Sequence, residues 1–473
     1  MLAAAILASG MAFLDSTVVN VALPRIESDL GGGLATMQWV SDAYLLTLGS
    51  LVLVGGALGD LLGRKRVFIV GIAAFGATSL LCGLAPTAEL LIAARAAQGV
   101  AAALMVPASL AILSSVFAPE DRAKAIGLWS GLSAVTTAIG PVVGGVMVDA
   151  HPSGWRAVFL LNIPLAVVAV WLTRRGVPDI PGTRTSAPLR TQVDVLGGTL
   201  AVLGLALLVA SLIEVELLGW PTAIAGVLIG VAVLTAFVVV ERRREQTGSP
   251  PPMMPPHLFG YRSFAVANVQ TFVLYGALGA VLLLFTICLQ LGLGWTALAA
   301  GAAGIPITLI LALGSSRAGA LIPKMGAKPL LTAGPLVMAA GIGLLALIRP
   351  GDTYWWPMLP GVVIFGIGLT LLVAPITSTA LGDIPPEQSG AGSGTNNAVA
   401  RIASLIAIAA VPALAGLDQA GANPEFFSAY SRATLVCALL CVAGAVVAAV
   451  GYAPSTGRVS AAVAATPKGD DAP

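Results

Sequence analysis

Apolar runs of about twenty residues recur from one end of this chain to the other, each closed by charges, prolines or glycines. A helix of that length, rising about 1.5 Å per residue, spans the roughly 30 Å hydrocarbon core of a bilayer. Lipid offers backbone N–H and C=O groups no partner, so a helix that satisfies its own is the form each run must take. Fourteen helices are predicted, near residues 1–24, 38–58, 67–85, 89–113, 124–149, 156–173, 194–213, 221–240, 263–290, 297–318, 329–348, 356–381, 392–415 and 432–452. Composition agrees: 57% of residues are hydrophobic and 10% charged, against about 25% charged in soluble domains. The fold class is an all-α polytopic membrane protein. The first run has no basic leader region and contains Asp15, so it reads as a retained spanning helix and not a cleaved signal, with a start further upstream left open. The polar residues 453–473 are expected to form a disordered cytoplasmic tail.

Charge is segregated among the breaks. Of the 24 Lys and Arg, all but Arg25, Arg95, Arg156, Arg349, Arg401 and Arg432 fall on one alternating set of loops, and Arg95 and Arg401 lie inside helices. The positive-inside bias therefore predicts a multi-pass protein of the inner (cytoplasmic) membrane with both termini cytoplasmic. One of these breaks is Gly56-Ala-Leu-Gly-Asp-Leu-Leu-Gly-Arg-Lys-Arg66, a short charged turn between two long apolar runs. Each charge in it would cost roughly 2.5–3.5 kcal/mol at a bilayer centre, so this turn sits in water at the membrane surface. Gly56, Gly59 and Gly63 are expected to end and turn two helices at close approach, and Asp60 to pair with Arg64 or with a cation on a neighbouring helix. A plain positive-inside anchor is the alternative.

The stretch Gly319 to Lys328 repeats this cluster at constant offset, matching Gly56/Gly319, Leu58/Leu321, Gly63/Gly326 and Lys65/Lys328 but without the acid. Pro119-Glu120 with Gly127 is echoed by Pro386-Glu387 with Gly394. Two six-helix bundles follow, residues 1–175 and 262–452, separated by an inserted helical pair at 194–241. Such repeats with a binding site between them at the midplane are a transporter architecture.

Ionisable groups inside the membrane are costly, which makes each a functional candidate. Asp15 falls close to mid-membrane, where it is poised to bind and release a proton, and Arg95 is the candidate cation beside it. A permanently satisfied pair that only fixes helix packing is the competing reading. Asp42, with Tyr44, is placed about one turn into the second helix as a group at a cavity mouth or, equally, as a solvated helix-end acid. Glu214 and Glu216 read as outer-interface residues. Arg401 has no intramembrane acid in its own half; it caps carbonyls, faces a wet cavity, or meets an anionic part of a substrate. Asn396 and Asn397 on the same helix call for a wet or hydrogen-bonded surface. Gly140, Pro141, Gly144 and Gly145 give the fifth helix a smooth face for close packing and a break in its hydrogen-bond ladder.

Nothing in the chain suggests catalysis. The four cysteines lie in apolar runs, where they read as small hydrophobes. His151 and His257 accompany no nucleophile or metal-ligand set, so no metal site is expected. There is no phosphate-binding G-x-x-x-x-G-K-[ST] loop. The chain reads as no enzyme, with no cofactor, driven by an ion gradient or the substrate's own.

These residues converge on a family. The 56–66 turn resembles the loop signature of the major facilitator superfamily. Leu14-Asp-Ser-Thr-Val-Val-Asn-Val-Ala-Leu-Pro24 resembles the first-helix signature of its fourteen-helix drug:H+ antiporters. Leu91 to Gly99, with Arg95 and Gln98, is similar to the superfamily's fourth-helix motif. Gly140-Pro141 with Gly144-Gly145 is similar to the antiporter motif of the fifth helix, and Trp155-Arg156 through Phe159, Asn162 and Pro164 resembles the start of the sixth. The resemblance implies a proton-coupled antiporter that exports amphipathic or lipophilic compounds by alternating access. It also implies Asp15 as the protonation site tied to Arg95, and Gly56, Asp60, Gly63, Arg64 and Arg66 as a cytoplasmic latch of the outward-open state. The partners expected are small amphipathic substrates, protons and membrane lipids; nucleic acid is not among them, and a monomer is expected. A dedicated exporter of one endogenous metabolite, lipid or self-made antibiotic is the alternative, and a non-transporting receptor a more distant one. The absence of acids within the helices of the second half disfavours dicationic substrates.

Overall fold

A computed structural model describes residues 1–117, 119–179, 181–183, 192–248, 250–385, 388–417 and 425–452 of the protein. The expected disordered tail, the Pro386-Glu387 half of the second echo, and Arg184, Arg190, Arg458 and Lys468 lie outside the described residues.

Fourteen helices long and apolar enough to cross a membrane are present. They are α1 (Leu2–Leu30), α2 (Gly33–Leu62), α3 (Arg64–Leu84), α4 (Ala88–Val116), α5 (Pro119–Ala150), α6 (Gly154–Gly176), α7 (Val195–Ile213), α8 (Trp220–Thr247), α9 (Arg262–Gly292), α10 (Ala297–Met325), α11 (Ala327–Leu345), α12 (Met358–Gly382), α13 (Ser389–Ala415) and α14 (Phe426–Gly451). Every predicted run is a helix, but α1 and α2 extend beyond their apolar stretches. Helix α2 starts at Gly33, five residues before the predicted boundary, and runs through Gly56 and Gly59 to Leu62. The expectation that three glycines make the turn is therefore corrected. Gly63 alone makes it, with φ +97°, a backbone region closed to most side chains. Its counterpart in the repeat, Gly326, has φ +79° and makes the equivalent turn between α10 and α11.

Helix pairing repeats as the turns do. In the first bundle α2 packs on α4, α3 on α4, α1 on α5, α3 on α6 and α1 on α6; in the second, α10 packs on α12, α11 on α12, α9 on α13, α11 on α14 and α9 on α14. These are the same five contacts in the same order. The two most extensive contacts across the seam between the bundles, α2 on α13 and α5 on α10, are equivalents of each other, and α1 adds smaller contacts with α9 and α10. Helix α7 lies along the α2–α13 flank of the seam, with α8 packed outside it. Proline-freed carbonyls are recovered by side-chain amides. Gln38 Nε2 donates across the seam to Ile408 O at 2.7 Å, the carbonyl that Pro412 leaves without its helical donor, and Gln270 Nε2 does the same for Leu331 O, freed by Pro335, at 2.7 Å.

The two ends of the molecule differ in chemistry. At the end opposite the basic loops, Arg25, Arg156, Arg349 and Arg432 each donate to a backbone carbonyl, those of Pro152, Ala85, Ile348 and Ala415. At the basic end Lys65 pairs with Asp179 at 3.1 Å, and Arg244 pairs with Asp194, whose carboxylate caps α7. Here His257, in the linker before α9, is bonded through Nδ1 to Glu245 of α8 and through Nε2 to Gln388 Oε1, 3.0 Å away, at the start of α13. The Glu245 bond, then the Gln388 bond, raise its pKa above the ordinary 6.5. Its contribution to docking the linker is thus complete below about pH 6.5 and is lost as pH rises through the raised value. Hydrogen exchange at residues 253–260, corrected for intrinsic rate, is expected to be faster at alkaline than at mildly acidic pH. His257→Ala should remove that difference.

Candidate proton-coupling and substrate site

Asp15 is the fourteenth residue of the 29-residue α1, close to its middle, and Arg95 is the eighth of α4. Both are 1% exposed. Arg95 Nη1 donates to Asp15 Oδ2 at 2.5 Å and to Gln98 Oε1 at 2.7 Å, while Arg95 Nε donates to the Val40 carbonyl of α2 at 3.0 Å. Asp15 Oδ1 accepts from Gln98 Nε2 and from Asn162 Nδ2, both at 3.0 Å. Those two amides also donate to Ser79 Oγ of α3, at 2.8 and 3.3 Å. Tyr44 lies with its ring 4.4 Å from the guanidinium carbon and Phe159 with its ring at 5.7 Å, both in range for cation–π attraction.

One carboxylate and one guanidinium are thus satisfied by groups from α1, α2, α3, α4 and α6. Burying an ion pair is favourable only when its remaining hydrogen bonds are largely met, and here both carboxylate oxygens, Nε and Nη1 are bonded. Gln98, Asn162 and Ser79 were not singled out as partners from the sequence. Gln98, three residues after Arg95 and so on the same helix face, was the signal available. A lone Asn in the apolar α6 was another.

The other candidates divide. Tyr44 is 1% exposed and belongs to the Arg95 environment; its expected place at a cavity mouth is corrected. Asp42 is ten residues into α2 and 0% exposed, with neither carboxylate oxygen bonded among the described residues. It is not a helix-end acid in water, because the helix begins earlier than its apolar pattern. Glu214 accepts from Trp39 Nε1 at 2.8 Å and ties the inserted pair to α2. Asn396 Nδ2 is engaged with Asn268 Oδ1 at 3.2 Å and Thr271 Oγ1 at 3.0 Å, fastening α13 to α9. Asn397 is exposed and accepts from Arg401 Nε at 2.9 Å. Asp60 pairs with Arg64 at 2.9 Å, and Arg64 also donates to the Ala111 carbonyl of α4 at 3.1 Å; Arg66 is exposed. Among the described residues none of these three bonds to the second bundle.

The α5 motif sits where two helices meet α5 at once. Gly140 and Gly144 face Thr17 and Val18 of α1, while Gly145 is so close to Leu298 of α10 that a methyl group placed there would lie 2.4 Å from the Leu298 Cα. Pro141 presents its carbonyl to Gly301 of α10. Beyond them, Asp149 of α5 accepts the N–H groups of Ala297 and Leu298, at 3.0 and 2.8 Å, at the first turn of α10. A π turn, Cys288–Gly292, aims Gln290 Nε2 at the Val21 carbonyl of α1, 2.9 Å away. The seam is closed at the end opposite the basic loops, where a cavity of about 420 Å³ lies outside these contacts.

Two equivalent six-helix bundles meeting at a seam, with charge held at mid-depth, are the working plan of a secondary transporter. The sequence profile of the Major Facilitator Superfamily matches residues 5–408. The chain belongs to that superfamily and is an efflux transporter, not an enzyme. It is 34% identical over 411 residues to a probable actinorhodin transporter of Streptomyces coelicolor, covering 85% of this chain and 70% of that one. It is 33% identical over 436 residues to the cephamycin export protein CmcT of Amycolatopsis lactamdurans, covering 91% and 88%. To the multidrug resistance protein Stp of Mycobacterium tuberculosis it is 34% identical over 403 residues, covering 84% and 72%. Solved structures of proton-dependent oligopeptide transporters superpose with a TM-score of 0.63 over 94% of this chain and 97% of theirs; at 14% identity this is a likeness of fold alone.

Proposed function

We propose that the protein is a proton-coupled antiporter that exports amphipathic or lipophilic compounds across the cytoplasmic membrane by alternating access, with its basic end and both termini in the cytoplasm. The observation that carries this reading is the buried Asp15–Arg95 pair. A proton arriving on Asp15 cancels the charge that holds Arg95 and leaves the guanidinium to the Gln98 side chain, the Val40 carbonyl and the Tyr44 ring. The packing of five helices then depends on the protonation state of one carboxyl. One proton moving down about 100 mV supplies about 2.3 kcal/mol, enough to shift a two-state equilibrium more than tenfold. Relatives named for multidrug resistance and for antibiotic export support the substrate class. Relatives named for a single antibiotic give equal support to a dedicated exporter as the second reading.

In this reading residues 1–175 and 262–452 are the moving bodies, and 194–241 rides on the α2–α13 flank. With the seam bonded at the end opposite the basic loops, this form reads as the one that faces the cytoplasm, and Asp60, Arg64 and Arg66 would latch the two bundles in the opposite form. The test is ethidium export by proteoliposomes under an imposed pH gradient: export that collapses when the gradient is dissipated supports the reading, and export indifferent to it refutes proton coupling.

A second expectation concerns the closed seam. Asp149→Ala removes two hydrogen bonds to an ionised acceptor, a loss of about 1.5–3 kcal/mol each. The outward-open population should rise at least tenfold. Spin labels at Ser28→Cys and Trp355→Cys, both exposed in the parent and on opposite bundles, would report it as longer distances. The native cysteines are all buried and should stay unlabelled.

A further inference from the structure

We propose that Arg401, oriented by Asn397, is an anion-binding site on the transport path and that the exported compounds include acids carrying a carboxylate or an equivalent oxyanion. The proposal rests on the exporter reading above and names a substrate class within it. Arg401 is the thirteenth of the 27 residues of α13. At a rise of about 1.5 Å per residue it lies roughly 18 Å from one end of the helix and 21 Å from the other, at mid-membrane depth. The α2 backbone at Gly49 lies against its Cβ, so the group stands at the seam between the bundles.

Arg401 contrasts with Arg95, the other intramembrane arginine. Arg95 is 1% exposed and neutralised by Asp15 at 2.5 Å. Arg401 is half-buried and pairs with no carboxylate among the described residues. The acids described in the second bundle, Asp352, Asp383 and Glu425, stand outside its spanning helices. The single side-chain bond of the guanidinium is from Nε to Asn397 Oδ1 at 2.9 Å, one turn away. That bond fixes the plane of the group. It leaves Nη1 and Nη2 without a bond to a described residue on a side chain that is only half-buried, so this edge is free to accept a partner. Two parallel N–H groups on a planar cation match the two oxygens of a carboxylate, and an ammonium group would not offer that match. A lone charge at this depth is costly, and an anion brought by the cargo would offset the cost only while cargo is bound.

The charge carried per cycle follows. With one proton entering per molecule exported, a monoanion moves two charges in the same sense, a neutral compound one, and a monocation none. Export of acids should therefore depend most steeply on membrane potential.

The test uses the purified full chain with three probes of matched shape: 1-naphthylacetate, its neutral amide, and 1-naphthylmethylammonium. Binding is measured by calorimetry, and export from proteoliposomes is measured at several imposed potentials. The acid is expected to bind wild type at least about tenfold more tightly than the amide. Arg401→Gln should erase that preference, Arg401→Lys restore part of it, and Asn397→Ala weaken acid binding without affecting the amide. Equal binding of acid and amide to wild type, or a preference that survives in a folded Arg401→Gln protein, overturns the proposal. So does failure of the acid to bind while ethidium is still exported on a pH gradient, an outcome that leaves the exporter reading standing. If ethidium export is also absent, the exporter reading fails with it. Helical content and elution volume of each variant separate misfolding from loss of binding, and Asn397→Ala keeps the proposal testable if Arg401→Gln does not fold.

Discussion

Asp15→Asn is expected to reduce gradient-driven export to the level of protein-free liposomes while leaving a folded protein that still binds its substrates. Asn retains an oxygen that can accept from Arg95, Gln98 or Asn162, the donors that surround Asp15. It also imitates the protonated carboxyl, a state the proposed cycle must visit, so the fold has to tolerate it. What Asn cannot do is give the proton back. The direct measurement is proton release, followed with a pH dye, when a lipophilic compound is added to the detergent-solubilised protein. Release in wild type that vanishes in the variant assigns the coupling proton to Asp15. Release that persists unchanged moves the assignment to Asp42, a second fully buried carboxyl in the first bundle, whose two oxygens have no bond among the described residues.

Removing the cation should harm the fold more than removing the acid. Arg95→Met would leave the Asp15 carboxylate buried with only the Gln98 and Asn162 amides beside it. Breaking a buried pair by deleting one partner costs about 3–5 kcal/mol, because the other charge remains without compensation. Arg95 also joins α2 to α4 through the Val40 carbonyl, so that contact is lost as well. Low yield and a strongly lowered unfolding temperature in detergent are expected. Asp15→Asn added to Arg95→Met should recover most of the stability, since the uncompensated charge is then gone. A double-mutant cycle measures the recovery, and additive effects of the two changes would show that the residues do not act as a pair.

Much of this site was legible before any coordinates. Intramembrane charges are so expensive that Asp15 and Arg95 stood out by composition alone, and their pairing was the simplest way to bear the cost. Gln98, Asn162 and Ser79 stayed hidden because a neutral polar side chain in a membrane helix has many possible partners, and only packing selects one. Tyr44 was misplaced for the same reason. It follows Gln38, Ser41 and Asp42 on α2, but the rotation of that helix turns the ring onto Arg95. Asp42 was misread through a boundary: Gly33 to Met37 extend α2 beyond its strongly apolar run, and the added turns carry Asp42 away from the helix end.

The chain by itself determined the number of spans, the repeat and the end that carries the basic charge. Lipid sets a cost for each residue separately, and a cost of that kind can be summed along a sequence without knowing any neighbour. The matching positive φ at Gly63 and Gly326 shows how local that information is. Only the tertiary structure decided which faces meet. It brought Asp149 to the first turn of α10, set Gly145 against Leu298, joined Gln38 to the Ile408 carbonyl and left Nη1 and Nη2 of Arg401 without a bond to a described residue. Helices in lipid are almost equally apolar on every side, so their rotation is chosen by close packing of small residues and by a few hydrogen bonds. Both depend on pairs of positions far apart in the chain.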